Sequence, residues 1–233
     1  GFGLPTRKIE IIEAGHPVPD ANSIAGAARA LAFVKTAGPD DTVLVLMSGG
    51  ASALWSAPVE GVSFEAKQAL TKALLRSGAP IGEMNTVRRH LSRIKGGRLT
   101  AQAHPARVVT LAISDVPGDE PAAIGSGPSV ADPTTLADAR AVLAKYGIKA
   151  ASEIVAALAD PRNETLKPDA PALAHARFEM VARPRAALDA AAAMLTRDGY
   201  RVEMLGDALE GEAREVGRQH AALALSARQR GQR

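Results

Sequence analysis

The chain has 233 residues, of which 46% are hydrophobic and 23% charged, and its formal net charge is +3. These values predict a soluble globular protein with one large domain or two small ones, and they exclude a disordered chain. The chain has no cysteine, which excludes disulfides and cysteine-ligated metals. No apolar stretch approaches the roughly 20 residues of a membrane helix, and no secretory signal is visible, so we expect a cytoplasmic protein.

The apolar pattern predicts strands and helices that alternate along the chain. Strands are predicted at residues 8–13, 42–47, 108–113, 177–181 and 200–205. Helices are predicted at 23–37, 63–75, 82–92, 133–146, 152–159, 184–196 and 209–227. This alternation predicts an α/β fold, namely a doubly wound, mostly parallel sheet with helices on both faces in a Rossmann-like three-layer αβα arrangement. The polar segment 160–171, which contains three prolines, is the best candidate for an internal boundary or an excursion.

A turn of small residues follows the strand predicted at 42–47. It contains Ser48, Gly49, Gly50 and Ser52. Small residues at the carboxyl end of a parallel strand let backbone N–H groups approach an anion, and ligands of open α/β sheets bind at that end. The serine hydroxyls can also donate to phosphate or carboxylate oxygens. The turn is therefore a candidate anion-binding loop, with an ordinary strand-to-helix turn as the alternative.

Two further turns follow predicted strands and would open at the same edge of the sheet. Asp115 lies just after the strand at 108–113, and Asp119 follows four residues later. These carboxylates could hold a divalent metal or orient a hydroxyl, although an acidic turn that caps the next element is the alternative. In the turn at 15–20, His16 has no second histidine or cysteine at metal-ligand spacing, which favours a structural or substrate-contacting role over zinc. The small-residue loop 124–129, with Gly127, could wrap a phosphate or simply turn.

Residues 85–114 contain no aspartate or glutamate but carry six basic side chains. These are Arg88, Arg89, Arg93, Lys95, Arg98 and Arg107. Such a block indicates either an anion site or a solvated basic face, and Arg89 and Arg93 are the candidates for the solvated face of the helix. Nucleic acid is a disfavoured partner, because aromatic residues make up only 3% of the chain and leave few surfaces for base stacking.

Four motifs occur in one order along the chain. They are Gly15–Asp20, Ser48–Leu54, Asn85–Leu99 and Ser114–Asp119. Together they resemble the large domain of the glycerate 2-kinase family, whose members carry a C-terminal MOFRL domain and are often labelled hydroxypyruvate reductase or tartrate degradation protein. The match runs from about residue 10 to 147 and more loosely to 214. Ala51 stands where that family has a third glycine, a replacement that a negative φ would tolerate.

The resemblance implies transfer of the γ-phosphoryl group of ATP to the 2-hydroxyl of D-glycerate, with Mg²⁺. It implies catalytic roles for Asp115, Asp119 and Lys95, with the two aspartates as Mg²⁺ ligands or proton acceptor. It further implies substrate- or phosphate-binding roles for Ser48, Gly49, Gly50, Ser52, Arg88, Arg98, His16, Asn85 and Gly127. The expected partners are D-glycerate and a nucleotide, without nucleic acid or membrane, and a homodimer is compatible with the sequence.

The same resemblance places residues 1–233 in the large domain, without its N-terminal part and without the MOFRL domain. We therefore expect the chain alone to be inactive. Two other functions stay open: an NAD(P)H-dependent hydroxypyruvate reductase and a non-catalytic module that binds hydroxy acids or other anions. The reductase has no complete dinucleotide fingerprint here, since Gly125-Ser126-Gly127 supplies only part of that pattern and Val130 replaces its third glycine.

Overall fold

The computed structural model describes residues 3–231. Its sheet consists of β1 (Thr42–Met47), β2 (Arg107–Ile113) and β3 (Ala176–Ala182). The helices are α1 (Ala21–Val34), α2 (Ala51–Leu54), α3 (Phe64–Arg76), α4 (Ile81–His90), α5 (Arg98–Ala103), α6 (Leu136–Lys145), α7 (Ser152–Ala159), α8 (Pro184–Arg197) and α9 (Ala213–Gln229). Among these residues, no helix combines the length and the apolarity needed to cross a membrane.

The three strands form one parallel sheet in the order β1-β2-β3. This arrangement confirms the predicted α/β class with a parallel sheet. In the register of β1 and β2, Met47 at the end of β1 pairs with Ala112 near the end of β2. The loops that leave these two strands therefore open side by side at one edge of the sheet, which is where ligands of such sheets bind.

Two apolar clusters form the core. One lies between the sheet, α1 and α5, and includes Leu31, Val45 and Val108. The other lies among α3, α4, α6 and α7, where Leu74 and Val87 are almost fully buried. Because amphipathic helices gain most of their stability from burying one apolar face, each cluster accounts for the helices around it. The short turn Ile124–Ser126 packs against both α2 and α4 and joins the two halves.

One face of the sheet carries exposed apolar side chains in the described part of the chain. Along β1, Val43, Val45 and Met47 are buried, whereas Leu44 and Leu46 are 58% and 72% exposed. Parallel sheets usually have both faces covered, and their strands are apolar on both sides for that reason. The apolar clusters of residues 3–231 thus lie against one face of the sheet, and the opposite face is open.

Two predicted strands are wrong. Residues 8–13 and 200–205 have no regular structure, and Ile9 and Tyr200 are largely exposed. Both segments alternate apolar and polar residues, but a strand also requires a neighbour that satisfies its backbone hydrogen bonds. In residues 3–231 the sheet offers neither segment such a pairing.

Local capping explains where several helices begin. Ser63, the first residue of the helix predicted at 63–75, caps α3, since its hydroxyl accepts a hydrogen bond from the amide of Ala66 at 3.1 Å. The helix predicted from residue 133 instead begins at Leu136, because Thr135 and Asp138 form a capping box. The short helices α2 and α5 were not expected; each follows a glycine with positive φ.

The segment 160–171 packs against the turn that precedes α5. The amide of Leu166 donates to the carbonyl of Gly96 at 3.1 Å, and the amide of Asp132 donates to the carbonyl of Leu166 at 2.8 Å. Thr165 lies so close to Gly96 that a Cβ on this glycine would stand 2.7 Å from the threonine Cγ2. The segment is thus a packed excursion between α7 and β3, while a domain boundary there stays a prediction.

Candidate anion-binding and catalytic site

The loop after β1 needs its glycines for two different reasons. Gly50 has φ +83°, a left-handed conformation that precedes α2 and that disfavours other residues. At Gly49, a Cβ would stand 2.2 Å from Oδ2 of Asp115, so this carboxylate lies directly against the loop backbone. Ala51 begins α2 and is not among the described non-glycine residues with positive φ, which meets the condition for an alanine there.

A cleft of about 220 Å³ lies at the carboxyl edge of the sheet, between the loops after β1 and β2 and helix α4. Eight of the residues predicted for the site line it: His16, Ser48, Gly49, Gly50, Ser52, Asn85, Arg88 and Asp115. They come from four separate segments of the chain. The structure therefore brings most of the predicted site together where a parallel sheet is expected to bind a ligand.

Lys95 is buried behind this cleft and donates hydrogen bonds to residues that line it. Its ammonium Nζ donates to the carbonyl oxygen of Ser52 at 2.9 Å and to that of Gly125 at 3.3 Å. The Ser52 hydroxyl lies 2.7 Å from the hydroxyl of Ser126, which donates to Oδ1 of Asn85 at 3.2 Å. Burial, and then the positive charges of Lys67 and Arg88, hold the pKa of Lys95 well below its usual value. This network ties the loop after β1 to α4 and to the turn at 124–126.

Arg88 is the cation of the cleft that the surrounding protein leaves unneutralised. Its side chain is half-buried and lines the cleft. It has no hydrogen-bond or ion-pair partner among residues 3–231. Burial lowers the pKa of its guanidinium, but an arginine stays charged at neutral pH. A guanidinium in this position offers a forked donor pair to a phosphate or a carboxylate.

Three predicted site residues lie outside the cleft. Asp119, with φ +55°, places Oδ2 3.4 Å from Nε of Arg183. Arg98 is buried and donates to the carbonyl oxygens of Ser92 and Glu164. Gly127, with φ +61°, accepts a backbone hydrogen bond from Gly97 at 2.8 Å. Arg98 and Gly127 thus maintain the local fold, and any direct ligand contact by these three residues stays a prediction.

The expectation of a solvated side chain is wrong for Arg89. This residue is buried, its Nε lies 2.9 Å from Oδ2 of Asp132, and its Nη1 donates to the carbonyl of Ala122 at 3.1 Å. Burial is the largest influence on the pKa of Arg89 and lowers it, whereas Asp132 acts in the opposite direction. Arg93 is exposed as expected, and its Nε donates to the carbonyl of Pro58 at 2.9 Å.

Sequence reasoning missed Lys67, a buried lysine of α3. Its Nζ donates to the carbonyl of Leu91 at 2.7 Å. Burial, followed by the charges of Arg88, Arg98 and Arg93, lowers its pKa to about 7. A signal was present: Lys67 lies three and four residues before Leu70 and Thr71, so it shares the buried stripe of the helix.

Asp115 is the one carboxylate that lines the cleft in the described part of the chain. Mg²⁺ usually binds one or two carboxylates and completes its shell with water and phosphate oxygens. Asp115 offers one exposed carboxylate at the cleft. In the part of the chain that the structure describes, no three histidine, aspartate or glutamate side chains converge. An all-protein metal cage is therefore not formed by these residues, whereas a single-carboxylate site is compatible with them.

The fold and the cleft describe an α/β protein with a candidate ligand-binding cleft at the carboxyl edge of a parallel sheet. The chain belongs to the family described as "Domain of unknown function (DUF4147)", whose model matches residues 2–159. The resemblance to glycerate kinases that the motifs predicted is confirmed by the comparisons with known proteins.

Relatives are similar over nearly the whole chain. A "Putative hydroxypyruvate reductase" of Agrobacterium vitis is 53% identical over 231 residues, which cover 99% of this chain and 52% of that protein. The D-glycerate 2-kinase of Thermotoga maritima is 44% identical over 214 residues, covering 92% of this chain and 50% of that protein. The crystal structure of glycerate kinase from Thermotoga maritima matches with a TM-score of 0.81 at 42% identity, covering 97% of this chain and 53% of that structure. The chain spans about half the length of the curated relatives it matches.

Proposed function

We propose that the full-length protein containing this chain transfers the γ-phosphoryl group of ATP to the 2-hydroxyl of D-glycerate, with Mg²⁺. The observation that carries this proposal is that Arg88, which has no counter-ion among residues 3–231, lines the same cleft as Gly49 and Gly50. Phosphoryl transfer depends on positioning and on neutralising charge rather than on covalent chemistry by the protein. The similarity to glycerate kinases over most of this chain supports the same activity.

The loop after β1 and Arg88 would bind the anionic groups. The backbone of Ser48 to Gly50 is free of side chains at the two positions that face Asp115 and His16, so its N–H groups can approach phosphate oxygens. Arg88 would bind a phosphate or carboxylate with two parallel hydrogen bonds, which fixes orientation as well as charge. Lys95 would act through the loop, because its Nζ is already used by the carbonyls of Ser52 and Gly125.

Asp115 would either accept the proton of the attacking 2-hydroxyl or hold Mg²⁺ together with the phosphates. Its carboxylate is exposed, lies at the cleft and contacts the loop at Gly49. Bound Mg²⁺ would neutralise charge on the transferred phosphoryl group. Asp119 is the second candidate for either role, but its carboxylate contacts Arg183 and does not line the cleft.

The test follows phosphorus NMR signals of the full-length protein supplied with Mg-ATP and D-glycerate. A 2-phosphoglycerate signal is expected. Asp115→Asn should reduce its rate of formation at least about 100-fold, whereas Asp119→Asn should reduce it less, because Asp119 lies outside the cleft. Absence of phosphorylated product from a folded wild-type protein would refute the proposal.

A reductase is the second candidate, because the relative that is 53% identical is named a putative hydroxypyruvate reductase. The same preparation supplied with NADH or NADPH and hydroxypyruvate distinguishes the two functions. Oxidation of the nucleotide without any phosphorylation of glycerate would favour the reductase. Binding of D-glycerate without either reaction would favour the non-catalytic module. A cytoplasmic location and a homodimer stay predictions.

A further inference from the structure

A second, much smaller cavity of about 20 Å³ lies next to the cleft. Pro17, Ser52, Ala53 and Arg88 line both spaces, so the small cavity is a side chamber of the cleft. Its volume is enough for about one water-sized group, since a single water needs about 10–15 Å³. A whole carboxylate or phosphate group is too large for this space, whereas one terminal oxygen of such an anion would fit.

The ionisable side chains that line this chamber are all basic. The ammonium-bearing side chains of Lys67 and Lys95 are buried there, and Arg88 is half-buried beside them. None of the three forms an ion pair with a carboxylate of residues 3–231. Three basic groups held close together repel one another when protonated, and a bound anion would stabilise their charged forms, so this arrangement favours a negatively charged ligand.

An unpaired hydroxyl supplies a second, independent indication of a ligand. Ser56 lines the chamber and is 2% exposed, and its Oγ has no hydrogen-bond partner among the described residues. Buried polar groups are nearly always hydrogen-bonded, so a lone hydroxyl beside three cations is explained by a ligand oxygen or a water that the chamber holds.

We propose that this chamber is the acceptor-carboxylate subsite, in which Lys67, Arg88 and Ser56 bind one oxygen of the carboxylate of a small hydroxy acid. The other carboxylate oxygen lies on the cleft side of Arg88, and the hydroxyl-bearing carbon faces the loop after β1. The subsite would give the enzyme its preference for an acid over a neutral polyol. This inference rests on the proposed function for the identity of the hydroxy acid, but the binding it describes requires no turnover.

The test is calorimetric titration of the full-length protein, without nucleotide, using D-glycerate and glycerol as probes. D-Glycerate should bind and glycerol, which lacks the carboxylate, should not. Lys67→Met should weaken D-glycerate binding at least about tenfold, the loss expected for one charge-assisted hydrogen bond. Lys72→Met is the matched control, because Lys72 lies on the same helix, is exposed and donates from Nζ to Oε1 of Gln68 at 3.4 Å.

Ser56→Ala is the second variant, since removing a hydroxyl that has no hydrogen-bond partner among residues 3–231 should leave folding intact. It should weaken binding of D-glycerate about threefold to tenfold. Binding within twofold of wild type in both Lys67→Met and Ser56→Ala would overturn the proposal, as would equal binding of glycerol or no binding of D-glycerate at all. Displacement of D-glycerate by chloride alone, at equal concentration, would reassign the chamber to a monatomic anion and would also overturn it.

This experiment fails separately from the test of the proposed function. If the protein forms 2-phosphoglycerate but Lys67→Met binds D-glycerate as well as wild type, the proposed function stands and the proposed subsite is refuted. If the protein forms no phosphorylated product but both Lys67→Met and Ser56→Ala weaken the binding of D-glycerate, the proposed subsite stands and the kinase function is refuted.

Discussion

Gly49→Ala is expected to abolish most phosphoryl transfer while leaving the fold almost as stable as before. A Cβ at this position would stand 2.2 Å from Oδ2 and 2.9 Å from Cγ of Asp115. Relaxed non-bonded contacts lie near about 3.5 Å, so the carboxylate must retreat by about 1 Å. A displacement of about 1 Å at a reacting group can lower turnover about 100-fold.

The small effect on stability follows from which atoms have to move. Gly49 is not among the glycines with positive φ, so alanine adds no backbone strain there. The Asp115 carboxylate is the exposed end of a flexible side chain and can rotate away. The free energy of unfolding should therefore fall by less than about 1 kcal/mol, as for most surface substitutions.

The assay pairs steady-state turnover of the full-length protein on Mg-ATP and D-glycerate with urea denaturation followed by circular dichroism. Gly82→Ala is the control, because a Cβ at Gly82 meets no atom within 4 Å and its φ is not positive. Turnover of Gly49→Ala within threefold of wild type would refute the role of the Asp115 position. In an Asp115→Asn background, Gly49→Ala should cause little further loss, because the two changes act on the same carboxylate.

Three other predictions concern stability. Arg89→Met leaves the buried carboxylate of Asp132 uncompensated and should lower the free energy of unfolding by about 3–5 kcal/mol in urea denaturation; a loss below about 1 kcal/mol would contradict the buried ion pair. Burial alone would raise the pKa of Glu164, but hydrogen bonds from Lys167, Leu136 and His90 lower it to about 2. The native carboxylate therefore stabilises the fold above the unfolded pKa near 4.5. Glu164→Gln should lower the free energy of unfolding at pH 6, and this loss should shrink as the pH falls toward 2. A loss that does not depend on pH would contradict the prediction. Ser63→Ala removes the cap of α3 and should cost about 1 kcal/mol by the same method, and an unchanged urea midpoint would count against the cap.

The strand β1, the start of α3 and much of the cleft lining could be predicted from patterns of neighbouring residues in the sequence. The bounds of β1 match the prediction because an apolar run ends at a glycine turn there. Ser48 and Asp115 meet at one edge because the parallel strands β1 and β2 carry their following loops to the same side of the sheet. His16 also lines the cleft, although residues 8–13 before it form no strand. The start of α3 also matches, because the predicted helix begins at Ser63, a residue type that favours the capping position before an amphipathic segment.

The parts that could not be predicted depend on contacts between distant segments. Arg89 pairs with Asp132, and no local pattern in α4 separates it from its neighbour Arg88, which lines the cleft instead. Lys67 lies near Arg88 and Lys95 because α3 packs beside α4. The alternating segment 8–13 lacks a pairing strand in the described chain, a condition that its own residues do not reveal.

The open face of the sheet has a practical consequence for measuring stability. Dyes that fluoresce on apolar surfaces would bind the native chain at Leu44 and Leu46, as they bind partly unfolded proteins. A dye-based melting curve would then begin with a high fluorescence signal, and the rise in fluorescence on unfolding would be too small. Trp55, the one tryptophan of the sequence, is partly buried against the core beneath the other face. Its own emission reports the loss of packing directly, without an added probe that competes for the exposed strand.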